Sequence, residues 1–289
     1  MAYLKTTKKE ENNLDIMLKN KTKKIIGVFD SGIGGLSVLK HFLKKLPQYD
    51  YVYLGDTARV PYGNHSQETI YQYTKEAVDF LFSQNCELII LACNTASSQA
   101  LRRLQQEYLP KKYPKRRILG VIVPLAEAVS KNNKIGVIGT RATINSQAYE
   151  QEIKKINPQA EIISHSAPLL VPIIEESNVS QAVSNKILKK YLRPLKQANI
   201  KNLILGCTHY PFLIKDIRRI MGKNCQVADP GLIVADKLAD YLKRHPEFAN
   251  DNKEKGDRVF YLTDKSDNFI NLGSKFLEEK IDNWQIVKL

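Results

Sequence analysis

LIILACNTASS, residues 88–98, is an apolar run that stops at Cys93 and gives way to Asn94 and Thr95. It has a counterpart in NLILGCTH, residues 202–209, which runs apolar and stops at Cys207, Thr208 and His209. Short apolar runs bounded by polar turns are the pattern of strands buried on both faces, as in parallel sheets. A second pair matches in the same way: IIGVFDSGIGG (25–35) and KIGVIGTRAT (134–143) each end in a turn of glycine and hydroxyl residues. Each half of the chain therefore carries one strand that ends at a hydroxyl turn and one that ends at a cysteine. Two α/β lobes of similar plan follow.

Outward from these runs the alternation continues. Strands are expected at 23–30, 51–56, 87–92, 117–123, 134–139, 160–165 and 202–206. Helices are expected at 35–46, 97–108, 141–156, 181–197 and 211–221, and at 66–84 with Ser66 as N-cap and Glu68 in the first turn. Strand–helix alternation predicts mainly parallel sheets with helices on both faces. Residues 1–22 are polar and rich in Lys and Asn, and read as an extension ahead of the first lobe.

The chain has 289 residues, enough for two lobes, with 43% hydrophobic and 26% charged residues, as in an ordinary globular protein. A net charge of +14 favours acidic partners: small anions, acidic cell-wall precursors, nucleic acid or anionic membrane. The basic clusters at 19–24 and 111–117 lack zinc-finger or aromatic–basic RNA patterns, so no specific nucleic-acid partner is expected. Residues 1–24 hold no apolar signal-peptide core, and no run approaches the ~20 apolar residues of a membrane helix. Four cysteines with no CxxC pair point to free thiols in a reducing cytoplasm.

Ligands of open α/β sheets bind beyond the carboxyl ends of the strands. The side chains placed there are Asp30–Ser31, Asp56–Thr57, Cys93–Asn94–Thr95, Thr140 and Cys207–Thr208–His209. A thiol close to a helix N-terminus is expected to favour the thiolate, and both Cys93 and Cys207 fit that expectation. His209 is a proton partner for Cys207. Metal binding lacks a clear third or fourth soft ligand. Two uses of the thiols remain. One is a cysteine hydrolase with Cys207 as nucleophile and His209 as base. The other is inversion of a stereocentre, where one thiol takes a proton from one face of a carbon and the other delivers one to the opposite face. Ser31, Asn94, Thr95, Thr140 and Thr208 are donors suited to carboxylates, and Asp30 and His209 suit thiol tuning or an ammonium group. A non-enzymatic module for acidic ligands is a third class.

FDSGIGGLSVL (29–39), YLGDTARVPYG (53–63), ACNTAS (92–97), IGTRATINSQAY (138–149), VPIIEE (171–176) and LGCTHYP (205–211), in this order, closely resemble the glutamate racemases of the cofactor-independent aspartate/glutamate racemase group. The resemblance runs from about residue 24 to 245. It implies interconversion of L- and D-glutamate, with D-glutamate feeding peptidoglycan synthesis, and no pyridoxal phosphate, other cofactor or metal. It implies two lobes with the site between them, the last segment returning to the first: 23–116 plus 229–289, and 117–228. It implies that Cys93 deprotonates the D isomer with Asp30 assisting, and that Cys207 deprotonates the L isomer with His209 assisting. Ser31, Tyr62, Gly63, Asn94, Thr95, Thr140 and Thr208 would hold the substrate, with Asp30 and His209 at its edge, and Glu175 stands where the family has a further acidic residue. A homodimer is implied as well. Some relatives with an extended N-terminus are activated by a peptidoglycan precursor, so the extension raises that expectation here. Ser166-Ala167-Pro168 stands where many relatives have Ala-Cys-Pro. An aspartate racemase is the nearest rival, but that branch carries Glu after the second Cys-Thr where this chain has His209.

Overall fold

The computed structural model describes residues 24–176, 180–250, 254–265 and 267–289; the expected extension 1–22 lies outside the described residues. Among the described residues ten strands form two sheets. They are β1 (Ile25–Asp30), β2 (Asp50–Gly55), β3 (Leu88–Leu91), β4 (Arg117–Gly120), β5 (Lys134–Gly139), β6 (Glu161–Ser166), β7 (Asn202–Gly206), β8 (Gln226–Val227), β9 (Arg258–Leu262) and β10 (Trp284–Ile286). The six-stranded sheet has the order β10-β9-β2-β1-β3-β4 and the four-stranded sheet β6-β5-β7-β8. Every pairing is parallel.

The internal repeat is a repeat of topology. The run β2-β1-β3-β4 has the same order as β6-β5-β7-β8, and β9 and β10 extend only the first sheet. In each sheet the central strand ends at a hydroxyl turn, Asp30–Ser31 after β1 and Thr140 after β5. Its neighbour ends at a cysteine, Cys93 after β3 and Cys207 after β7. These strands read as unbroken apolar runs because layers on both faces bury them. Leu36, Leu39 and Phe42 of the helix Leu36–Lys45 pack with Val234, Leu238 and Leu242 of the helix Pro230–Arg244 in a core that continues into Ile135, Val137 and Ile153. The outer face of the first sheet is covered by Ile70, Val78 and Leu81 of the helix Gln67–Ser83. That of the second is covered by Leu188, Leu192 and Leu195 of the helix Gln181–Gln197.

Four local expectations shift. The strand Arg117–Gly120 pairs with β3, so the expected boundary before residue 117 cuts off a strand of the first sheet. The run 117–123 is a strand only to Gly120 and is followed by the helix Ile122–Val129, whose Leu125, Ala126 and Val129 enter the shared core. The helix expected at 97–108 starts earlier, at Asn94, and proceeds in short segments through a π-type turn at Leu104–Tyr108. The helix expected at 141–156 is broken by Gln147 at φ 55°, between Arg141–Asn145 and Ala148–Ile156. Ser66 caps its helix as expected, its Oγ accepting the Thr69 N–H at 3.2 Å.

Candidate active site

Cys93 leaves β3 in extended conformation and caps the helix that begins at Asn94. Its Sγ accepts the Ala96 N–H at 3.5 Å, and the thiol donates to Ser31 Oγ at 3.5 Å. The first contact explains the early helix start: sulfur takes the capping role usually filled by a Ser, Thr, Asn or Asp oxygen. No α-helix begins directly after Cys207; Thr208 and His209 lead into a 3₁₀ turn at Tyr210–Leu213. What faces Cys207 instead is imidazole, with His209 Nδ1 3.9 Å from Sγ and Nε2 2.8 Å from Glu175 Oε1. Cys93 and Cys207 are 5% and 6% exposed, so both are nearly sealed from bulk water yet reach the same cavity.

That cavity has a volume of about 260 Å³ and is walled by both sheets. Ser31, Tyr62, Gly63, Asn94 and Thr95 line it from the first, and Thr140, Glu175, Thr208 and His209 from the second, with one cysteine from each. Cross-links between the two sides hold it. Thr95 Oγ1 lies 2.9 Å from Thr140 Oγ1 and Thr208 Oγ1 donates to Asp30 Oδ1 at 3.1 Å. Ser37 Oγ donates to the Thr208 carbonyl at 2.9 Å. Two glycines permit this closeness. A Cβ on Gly34 would lie 2.3 Å from Thr208 Oγ1 and 2.5 Å from His209 Nδ1, and one on Gly63 would lie 2.7 Å from Thr140 Cβ.

Of the residues expected beyond the strand ends, Asp56 and Thr57 do not line the cavity, Thr57 donating instead to the Asp264 carbonyl, and neither does Asp30. It is fully buried, bound by the Gly32 N–H at 3.0 Å and by Thr208. Tyr62 lines the wall, but its hydroxyl turns onto buried Asp56, 2.5 Å away, which also receives Arg59 and Thr263. The cavity also meets residues that the sequence reading missed: Arg141 and Asn64, the acid Glu176, and an apolar edge of Pro168, Val171 and Pro172. Only Arg141 carried a usable signal, as the neighbour of Thr140; the apolar edge looks like any helix start.

The electrostatics correct the expectation of a thiolate at Cys93. Burial and the Asp30 carboxylate push the Cys93 thiol up to about 12, outweighing the Ala96 N–H and Ser31. Burial likewise raises Asp30, against the opposing pull of His209, the Gly32 and Gly35 N–H groups and Thr208. Burial works to lower His209, but its hydrogen bonds to Cys207 and Glu175 overcome this and raise it to about 10. At neutral pH the cavity thus presents a protonated thiol on one side and an imidazolium beside the other.

A pH dependence of stability follows. His209 titrates near 6.5 when unfolded and about 10 when folded. Its contribution is therefore complete below pH 6.5 and is lost as pH rises toward 10. The raised thiols act only above about pH 9, where unfolded cysteine ionises. Between pH 6.5 and 9, the His209 contribution to stability in urea melts should fall by at most ~1.4 kcal/mol per pH unit, the limit for one linked proton. Glu175 is 33% exposed, so screening holds the slope below that limit. His209→Asn should flatten it; parallel profiles for the two proteins would remove the assignment.

Among the described residues no group of three or more His, Cys, Asp or Glu is gathered as metal ligands, and no helix is long and apolar enough to cross a membrane. All four cysteines are free and buried.

Residues 26–238 match the model of the Asp/Glu/hydantoin racemase family. The chain belongs to that family. Among its relatives, a glutamate racemase from Geobacter metallireducens is 41% identical over 268 residues, 91% of this chain and 96% of that one. A glutamate racemase from Aquifex aeolicus is 41% identical over 260 residues, 89% and 95% of the two chains. A solved glutamate racemase from Francisella tularensis in complex with D-glutamate superposes with a TM-score of 0.84 at 37% identity, covering 92% of this chain and 98% of that one. An aspartate racemase from Picrophilus torridus shares the fold at a TM-score of 0.54 and 18% identity, covering 76% of this chain and 94% of its own. The family likeness thus reaches well beyond the cysteine motifs to nearly the whole described chain.

Proposed function

We propose that the protein is a glutamate racemase that interconverts L- and D-glutamate by proton exchange at Cα between two cysteines. The observation that carries this reading is that Cys93 and Cys207, ending equivalent strands of two sheets with the same strand order, line one cavity. The glutamate bound by the Francisella relative supplies the substrate class. In the L-to-D direction Cys207, with His209 as its cationic partner, takes the Cα proton as a thiolate. The C–H electron pair stays on the substrate as a carbanion. Cys93 then gives its S–H proton to the opposite face, leaving D-glutamate, a Cys207 thiol and a Cys93 thiolate. The reverse reaction exchanges the roles.

An α-proton is far less acidic than a thiol, so the carbanion must be stabilised by fixed donors in a site shielded from water. Asn94, Thr95, Thr140, Thr208 and Ser31 serve as those donors to the two carboxylates, and the main chain at Tyr62–Gly63 forms the wall. Asp30, beneath the floor, acts through Thr208 and through its charge on Cys93. The lobes of this reading are 24–120 with 229–289, and 121–228. It carries with it cytoplasmic D-glutamate supply for peptidoglycan, assembly as a homodimer, and a soluble peptidoglycan precursor as activator.

One other reading has an observation behind it. Cys207, His209 and Glu175 form a hydrogen-bonded row that would suit a cysteine hydrolase. It leaves Cys93 without a role. Polarimetry separates the two. With either enantiomer of glutamate the rotation should decay to zero without consumption of glutamate, and much more slowly or not at all with aspartate. Unchanged rotation with glutamate overturns the racemase reading, and equal rates with aspartate overturn its specificity.

A further inference from the structure

Tyr149 touches both cysteine turns. It sits at the start of the helix Ala148–Ile156, just past the left-handed Gln147, and is 3% exposed. Its hydroxyl donates to Asn94 Oδ1 at 2.5 Å, and Asn94 directly follows Cys93. Its ring edge lies against Gly206, where an added Cβ would stand 3.1 Å from Cε2, and Gly206 directly precedes Cys207. One side chain, anchored in the second sheet's half, thus bridges the backbone beside one sulfur to the side chain beside the other.

The hydrogen bond has a chemical consequence. An amide has an acceptor end and a donor end. The phenol occupies the acceptor end of Asn94, so the free end is NH₂, and Asn94 lines the cavity. Without that bond the amide could rotate and present its oxygen to an anionic substrate, which is repulsive. Burial and the neighbouring Cys207 raise the Tyr149 phenol, so it stays a donor at any working pH.

We propose that Tyr149 is a positioning residue for the racemase: it aims the Asn94 amide NH₂ at a substrate carboxylate and sets the spacing of the two cysteine turns. The inference rests on the glutamate racemase reading. No short motif marks the role, because the partners are far apart in sequence and come from different sheets.

Tyr149→Phe keeps the ring as spacer and removes only the donor. The expected result is a KM for L- and D-glutamate about tenfold higher, with kcat within about threefold, since one charge-directed hydrogen bond loses its orientation. Tyr149→Leu also removes the spacer and should lower kcat by about tenfold or more. Because Tyr149 acts through Asn94, adding Tyr149→Phe to Asn94→Ala should change KM by less than about twofold. Full additivity, or an unchanged KM beside a lowered melting temperature, would show a purely structural tyrosine and overturn the proposal. Should the variants fail to fold, the wild-type complex with D-glutamate decides: Asn94 Nδ2 within about 3.2 Å of a carboxylate oxygen supports it, and an amide turned away overturns it. Absence of racemisation by the wild type would instead sink the reading beneath it.

Discussion

Replacing Cys93 with alanine, and separately Cys207, is expected to lower racemisation by about 10³-fold or more in both directions. Each sulfur serves one face of Cα, and no other proton carrier among the described residues stands in its place. His209 is committed to Cys207 and Glu175, and Asp30 does not line the cavity. The loss must be symmetric. L- and D-glutamate have equal free energies in water, so their equilibrium constant is one and kcat/KM is the same from either side. A variant cannot lose one direction and keep the other.

Half-reactions can still differ. In deuterated water the Cys93→Ala protein should exchange the Cα hydrogen of L-glutamate alone, through Cys207. The Cys207→Ala protein should exchange that of D-glutamate alone. Both variants should fold, since removing one sulfur from a partly open cavity wall costs about 1–2 kcal/mol at most. Near-normal turnover by either variant, with circular dichroism unchanged, would end the two-thiol account.

Much of this was legible in the chain. β1, β3, β5 and β7 are buried on both faces, so they read as continuous apolar runs, and the residue that ends each run stands at the carboxyl edge of a sheet. Cys93 and Cys207 were conspicuous for that reason, and the doubled pattern pointed to doubled topology. Tertiary placement was less legible. Asp30 and Ser31 are adjacent in sequence, yet only Ser31 faces the cavity, because the Asp30 carboxylate turns back onto the Gly32 N–H and Thr208. The membership of residues 117–120 in the first sheet depends on pairing with β3, which local composition does not encode. The expected thiolate at Cys93 considered the helix end alone; burial and the Asp30 charge, both long-range, reverse it. Arg141 and Tyr149 both lie in the block 138–149, but Arg141 reads only as the neighbour of Thr140, and Tyr149 meets Asn94 and Gly206, which are distant in sequence, from a helix whose break at Gln147 was not foreseen.

The wild type's own use of hydrogen isotopes bears on the central claim. A substrate proton taken by one sulfur stays on that sulfur, while the proton given to the product comes from the other, which has equilibrated with solvent. With a single base the abstracted proton can return to the opposite face, and part of the product keeps protium. The decisive measurement is the Cα isotope content of both enantiomers at under about 10% conversion of L-glutamate in D₂O. D-glutamate fully deuterated at Cα, beside L-glutamate still protiated, is the predicted result. Protium retained in the newly formed D-glutamate, or deuterium appearing equally in the unreacted L-glutamate, would contradict proton transfer by two separate thiols.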